Sequence, residues 1–486
     1  MGFLYSMVIK GKFFLQITLF IAFTGAILPL ANLAMAAQES SFFGDSIIEN
    51  PGLLPTNPFY FLKRFRRLTQ RAITVTSVKK AELELDILNQ KAAEIKRLME
   101  IVKSDREVLK DIADLYEESL GRLQSYLENI DAKSADALLN KLLETGFKHF
   151  LIFNSLETRQ EILTIERLEA LQGHLAGLIT SALIRLDSQA ILENRLDRVL
   201  EKQEDSLNQF IFNAIALNRL QEKSGIGSWL KIVLLQKQAK TLLEIQTILE
   251  SASAKSLPEF FEDLPGNRLR YIKIIDELRE QTLGSEIKNQ LAIIRQRLFD
   301  ILKDGRLLGK SDAESVRREA AVLTEWLESR LEEASFRSNV LNQLLLRAKF
   351  NLEQANLSFE SGQYAEAVGQ SSVSLAAAKR ALVQIFYPAD KLLKKMKNEY
   401  DALNNAVKDN DLTLELLGAA EKLIVKIADI ASAKTVNFDK LNSALEEAQL
   451  TLLRAEREFQ DALRQIEEAA AHKKSSKPFI ERVLDR

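Results

Sequence analysis

The feature that most narrows what this chain can fold into is the spacing of its apolar residues. Ala81, Leu85, Leu88, Ala92, Ile95, Met99 and Val102 recur at alternating intervals of four and three, and Leu109, Ala113, Tyr116, Leu120, Leu123, Leu127 and Ile130 resume the same rhythm. A half-buried strand needs a period of two, whereas four-three alternation is the seam of a helix packed lengthwise on another. Between the runs, Ser104-Asp105-Arg106-Glu107 has the form of a capping box, so the spacing predicts two helices with a short joint, an antiparallel hairpin. Leu441, Leu445, Ala448, Leu452, Ala455, Phe459, Ala462 and Ile466 carry the strongest coiled-coil-like signal. Only 18 Gly and 8 Pro in 486 residues interrupt such patterns, which favours long helices over a turn-rich β-fold. The expected class is all-α, with long antiparallel hairpins and coiled-coil-like bundles in two tandem helical halves.

Lys10 and Lys12 precede an apolar stretch from Phe13 to Leu30, followed by Ala34-Met35-Ala36. That order is an export leader with a small-x-small cleavage pattern over residues 1–37. The alternative is a retained anchor through residues 13–31, for which Gln16, Thr18, Thr24, Gly25 and Pro29 make a mediocre span. There is no cysteine, so a lipid-modified N-terminal cysteine is excluded and an exported domain must be held by packing without disulfides. Residues 38–50 read as a polar tether. Asn57 as cap and Pro58 at the first position then open a helix in which Phe59, Leu62, Phe65 and Leu68 share one face. Lys63, Arg64, Arg66, Arg67 and Arg71 fall largely on the others.

Downstream, KSGIGSW (223–229) and SLPEFFEDLPGN (256–267) are the clearest breaks, and the second sets the expected boundary between helical domains at 51–255 and 258–470. A polar tail with a short helix is expected over 471–486. Residues 178–224 and 310–361 contain neither Gly nor Pro; the second would run about 75 Å as one unbroken helix. Ser311-x-x-Glu314 is a further capping box, and Pro388 should end or kink a helix ahead of it. Residues 351–382, with Gly362 at the turn, are similar to a tetratricopeptide-type hairpin, but a single unit makes no groove, and the simpler reading is a hairpin with small residues where helices cross. LPTNPFYFLKRFRRL (54–68) also aligns without gaps on LPGNRLRYIKIIDEL (264–278), with Leu, Pro, Asn, Lys and the last Leu identical. This self-similarity indicates an internal duplication.

Leu54, Pro55, Asn57, Pro58, Tyr60 and Lys63, followed by Lys79-Lys80-Ala81-Glu82-Leu83, form a pattern that resembles domain-of-unknown-function family 5667, a helical domain of exported bacterial proteins, over about residues 51–150. The resemblance implies export and helical hairpins, and no activity. The segment from 258 departs from the pattern, with Arg268 in place of Pro58 and Arg270 in place of Tyr60.

Catalytic signals are thin. There is no cysteine nucleophile, the three histidines (His149, His174, His472) are far apart, and no metalloprotease, nucleophile-elbow or phosphate-loop motif occurs. No cofactor and no metal site is expected, nor is an enzyme. Lys+Arg 66 against Asp+Glu 68 leaves a net charge of -2, which gives nucleic acid no field to follow. The cations Lys63, Arg64, Arg66, Arg67 and Arg71 are the one candidate contact for an anionic surface, lipid or wall polymer. The competing and favoured reading is a solvated face, or partners for carboxylates such as Glu82 and Glu84. The functional expectation is an exported, non-enzymatic helical scaffold or protein-interaction protein of the bacterial cell envelope, binding other helical proteins or itself. The alternative is an extracytoplasmic bundle that holds an apolar or lipid ligand, lined by residues 148–156 and 208–217.

Overall fold

Side-chain caps set several of the helix ends in this chain. The computed structural model describes residues 51–475 apart from 102–105, 158–161, 202–206, 252–267, 281–283, 305–307, 334–337, 387–388, 408–410 and 433–437. Among the described residues the regular structure is helical and there is no strand. The export leader, the tether, the capping box residues Ser104 and Asp105, the break at 256–267 and the tail from 476 lie outside them.

The N-terminal group comprises α1 (Tyr60–Ile73), α2 (Ser77–Ile101), α3 (Arg106–Leu127), α4 (Asp136–Glu157) and α5 (Ile162–Leu186). The expected hairpin forms: α2 packs on α3, and Ala81, Leu85, Leu88, Ala92, Ile95 and Met99 meet a core that holds Ala113, Tyr116, Leu120, Leu123 and Leu127. α4 lies on α2, and α5 on both α3 and α4, while α1 rests on α2. The last carbonyls of α3, which have no partner within their own helix, are met by Arg185 of α5, which donates to Leu127 O and to Glu128 O at 3.0 Å.

The central group is α6 (Gln189–Glu201), α7 (Leu207–Lys223), α8 (Trp229–Ser251), α9 (Arg268–Glu280), α10 (Ser285–Asp304), α11 (Lys310–Glu333), α12 (Asn339–Glu360) and α13 (Tyr364–Phe386). α13 touches α8, α9, α10, α11 and α12. It can do so because Ala367, Ser371, Ser374, Ala377, Ala378 and Ala381 are buried and let neighbouring backbones come close. The α12–α13 hairpin turns at Gly362, whose φ of +74° suits a residue without Cβ. Gly227, at +75°, does the same between α7 and α8. Helices on the two sides of residues 252–267 share a core, since α9 packs on α7 and α8 as well as on α13.

α14 (Ala389–Ala406), α15 (Asp411–Ser432) and α16 (Phe438–Ser475) form the last group. Its core holds Met396, Leu417, Ala420, Ile427, Leu441, Leu445, Ala448, Leu452 and Ala455. Leu441 to Ala455 of the seam read in the sequence are therefore covered within the molecule by α14 and α15, with Phe459 half-buried beside them. α16 also reaches α8, where Arg454 pairs with Glu250.

Three local expectations are corrected. Asn57 does not cap α1 directly: its Oδ1 accepts from Phe59 N at 2.9 Å in an Asx turn, and the helix begins at Tyr60, behind Pro58. At the start of α11 the reciprocal bond runs from Gly309 N to Asp312 Oδ2 at 3.0 Å, which leaves Ser311 and Glu314 inside the helix. The two stretches without Gly or Pro are interrupted. Asp187 accepts from Ser188 N at 2.9 Å between α5 and α6, and Ser338 Oγ accepts from Leu341 N at 3.2 Å to open α12.

Ala377 on α13 is fully buried at the crossing with α11 and α12. Ala377→Leu should cost about 1–3 kcal/mol through overpacking. Urea denaturation would show this as a lower midpoint with an unchanged slope.

Candidate functional site

The five cations of α1 divide into two sets by position. Lys63, Arg67 and Arg71 recur every four residues, and the same side carries Tyr60. All four turn inward onto α2, where Glu84 and Glu94 are fully buried. Lys63 Nζ lies 2.5 Å and Arg67 Nη2 2.8 Å from Glu94 Oε1, and the Tyr60 hydroxyl donates to Glu94 Oε2 at 2.7 Å. Arg67 also donates to Gln90 Oε1 at 3.1 Å. Arg71 holds Glu84 through two bonds, Nε to Oε1 at 2.6 Å and Nη2 to Oε2 at 3.0 Å, and Arg122 of α3 approaches the same carboxylate at 3.4 Å. Burial and the Glu94 carboxylate push the Tyr60 phenol up, while burial pushes the Lys63 ammonium down against the pull of Glu94. Lys91, between the two glutamates on α2, bonds Leu115 O and Ser119 Oγ. Burial, with Arg67, Arg122 and Arg71 nearby, lowers it to about 7.

The opposite side of α1 faces water. Phe59, Phe61, Phe65 and Leu68 are 56%, 59%, 62% and 62% exposed, and Ile73 and Val75 continue the apolar surface. Arg64 and Arg66 are exposed beside it. Of the apolar face read from the sequence, Phe59, Phe65 and Leu68 are exposed and Leu62 is half-buried, while Phe61 joins the exposed set; the rings point outward because three cations and a phenol must reach two buried carboxylates. Two stripes in the sequence carry that signal: cations at 63, 67 and 71, and Glu84, Lys91 and Glu94 at heptad-like spacing on α2. Glu84 was foreseen as a partner and Glu94 was not.

The similar segment in α9 has the reverse exposure. Tyr271, Ile272, Ile275 and Leu278, aligned with Phe61, Leu62, Phe65 and Leu68, are buried. Lys273, aligned with Lys63, is buried between two glutamates, 3.0 Å from both Glu222 of α7 and Glu319 of α11. It belongs to a larger ionic cluster. Arg219 grips Glu169 of α5 with two bonds of 2.9 Å, Arg270 joins Glu169 to Glu222, and Lys379 of α13 meets Glu277 and Asn218 at 2.7 Å each. Burial alone would raise the Glu169 carboxyl, but Arg270 and Arg219 hold it down at about 2. Arg270 and Lys273 likewise hold Glu222 well below the usual carboxylate range.

The histidines do not converge. His149 is buried between Tyr116 and Asn89. Nε2 donates to Asn89 Oδ1 at 2.9 Å, and the Tyr116 hydroxyl donates to Nδ1 at 2.7 Å, the assignment that leaves the imidazole neutral. Burial, with Lys148 beside it, pushes His149 down to about 3. His174 sits on the surface 2.6 Å from Glu117, and the side chain of His472 lies outside the described residues. No three His, Asp or Glu side chains among the described residues are placed to hold a metal ion. The two stretches considered as ligand linings put Phe150, Phe153, Ile211, Phe212, Ile215 and Leu217 into the core, and Phe153 meets Tyr116 edge-on at 5.4 Å.

Among the described residues these features define an all-helical protein in which α1 is held by buried ion pairs and shows an apolar face to solvent. Residues 52–169 match the family model described as Domain of unknown function (DUF5667), which spans α1 to α4 and the start of α5. The segment from 258 stands outside that match. Tyr60 and Lys63, which carry the resemblance in the sequence, are two of the groups that hold Glu94. No curated protein and no solved structure matches the chain.

Two outcomes follow. Glu94→Gln leaves Lys63 and Arg67 without their carboxylate and should cost about 3 kcal/mol, freeing α1 first, so that limited proteolysis cuts within residues 51–76 before elsewhere. His149, whose folded value lies below the unfolded value of about 6.5, makes the unfolded chain the better proton acceptor as pH falls. Its contribution is intact above pH 6.5 and shrinks by about 2–3 kcal/mol by pH 4.5. His149→Gln should flatten that part of the pH–stability curve in urea titrations.

Proposed function

We propose that this protein is an exported, non-enzymatic helical scaffold that binds other helices, a second copy included, at the bacterial cell envelope. The observation that carries the reading is an apolar ridge on α12. Leu346, Phe350 and Leu357 are 66%, 61% and 53% exposed and fall on one side of the helix. The neighbouring cations are held inside the molecule, Arg347 on Glu280 at 2.7 Å and Lys349 on Glu328, and the exposed Glu353 lies on the ridge between Phe350 and Leu357. An apolar ridge on a hairpin suits a partner helix with a Leu/Ala seam and a cation opposite Glu353, which would bury its apolar surface at about 25 cal/mol per Å². The leader read in residues 1–37 supports the envelope location. The histidine locked as a neutral side chain between Tyr116 and Asn89 supports a structural rather than a catalytic use of such groups.

Light scattering of the purified protein should report an assembly, and Leu346→Ser with Phe350→Ser and Leu357→Ser should weaken it by more than about tenfold with an unchanged circular dichroism spectrum. Cell fractionation with mass measurement should find the chain outside the cytosol, cut after Ala36 or Ala37 or retained in the membrane. A cytosolic monomer with no crosslinked partner would count against the proposal.

A further inference from the structure

The outward face of α1 and the ridge on α12 are both apolar, but the charges around them differ. Residues 50–81 hold seven Lys and Arg and no Asp or Glu. Three of the seven are turned onto Glu84 and Glu94. Arg64 and Arg66 are exposed on the edges of the Phe61–Phe65–Leu68 stripe, and among the described residues neither is in an ion pair. A second copy of this face would set arginine against arginine, and a neutral helical partner would leave both cations unanswered. A layer of lipid phosphates answers both while its acyl boundary receives the phenylalanines. A short helix with aromatic and Leu residues on one face and cations beside them is the pattern of a helix that lies in the membrane interface. The other α1-like segment shows that the apolar pattern ordinarily has cover, since the aligned positions of α9 are packed inside the protein. Upstream, the apolar stretch Phe13–Leu30 ends thirty residues before Tyr60, within reach of the same bilayer. No helix among the described residues is long and apolar enough to cross a membrane, so a contact through α1 lies along the surface.

We propose that α1 is an interfacial membrane contact, with Phe61, Phe65 and Leu68 seated at the acyl boundary of an anionic bilayer and Arg64 and Arg66 on its phosphates. Tyr60, Lys63, Arg67 and Arg71 do not touch lipid; they fix the helix on α2 so that this face stays outward. The proposal rests on the envelope location above, which fractionation tests separately, so either can fail alone.

The chain has no cysteine, so Ala72→Cys, exposed on the same side of α1, gives a single labelling position on the full-length protein. An NBD label there should shift to the blue on vesicles that contain phosphatidylglycerol, and lipid brominated in the acyl chains should quench it. Arg64→Gln with Arg66→Gln should lower partition onto those vesicles by about thirtyfold and leave binding to neutral phosphatidylcholine unchanged. Phe61→Ser with Phe65→Ser and Leu68→Ser should abolish the shift on both, with the helical spectrum retained. A label that stays in water on every vesicle overturns the proposal, even if residues 13–31 tether the protein. A shift that grows with protein concentration in the absence of vesicles also overturns it, since a second copy is then the occupant. Equal binding of the double arginine variant overturns the assignment of Arg64 and Arg66.

Discussion

The pairing of Glu94 and Glu84 with the cations of α1 decides how α1 sits on the α2–α3 hairpin. Both carboxylates are wholly buried on α2, and an unpaired buried ion costs several kcal/mol. Turning α1 over would bury Phe61, Phe65 and Leu68 instead, at about 1.5–3 kcal/mol for each side chain fully covered. The two terms are similar in size, but they differ in what else can satisfy them. Nothing outside the protein can reach Glu94, whereas the apolar face can be covered by whatever lies next to it. The helix therefore keeps its ions inside and its aromatic rings outside.

The same constraint operates at the centre. Glu169, Glu222, Glu277 and Glu319 come from four different helices, and Arg219, Arg270, Lys273 and Lys379 tie them together. Buried ion pairs add little net stability over well-packed apolar side chains, but breaking one is costly. The cluster therefore disfavours wrong pairings among helices whose Leu and Ala seams are otherwise much alike. Lys63 and Lys273, the identical lysine of the two similar segments, each pair with glutamate on neighbouring helices, Lys63 with Glu94 and Lys273 with Glu222 and Glu319. What the segments have in common is a cation that locks a helix; which apolar face is covered differs.

This explains what the sequence disclosed and what it withheld. The α2–α3 hairpin was legible because seven positions at four-three spacing have only one economical solution. The interruptions at Asp187 and Ser338 were not, because short polar side chains that take up a backbone N–H end a helix without any Gly or Pro. Periodicity gives the residues that share a face of α1 and is silent on which face turns inward; the partner stripe on α2 settles that, through Glu94 as much as Glu84. α12 was ambiguous for another reason. Leu341, Leu344 and Ala348 are buried while Leu346, Phe350 and Leu357 are exposed, and a helix apolar on two sides has no single direction to read. The central ionic cluster joins residues as far apart as Lys379 and Glu277, 102 positions, and Lys379 and Asn218, 161 positions, a range at which charge patterns along one helix carry no signal.

The flanking charges then separate the two exposed faces physically. Around α12 the cations Arg347 and Lys349 are matched within the protein and Glu353 adds a carboxylate to the ridge, so attraction there is mainly apolar and depends little on an anionic surface. Around α1 they are of one sign and unmatched, so a contact there gains from an anionic surface and weakens as salt screens it over about 8 Å at physiological strength. Because Lys63, Arg67 and Arg71 are committed to Glu84 and Glu94, α1 cannot roll to hide its rings when no surface is present. The ionic lock thus has two consequences at once: it removes the carboxylates' cost inside, and it holds an aromatic, cation-edged face in water until something apolar and anionic covers it.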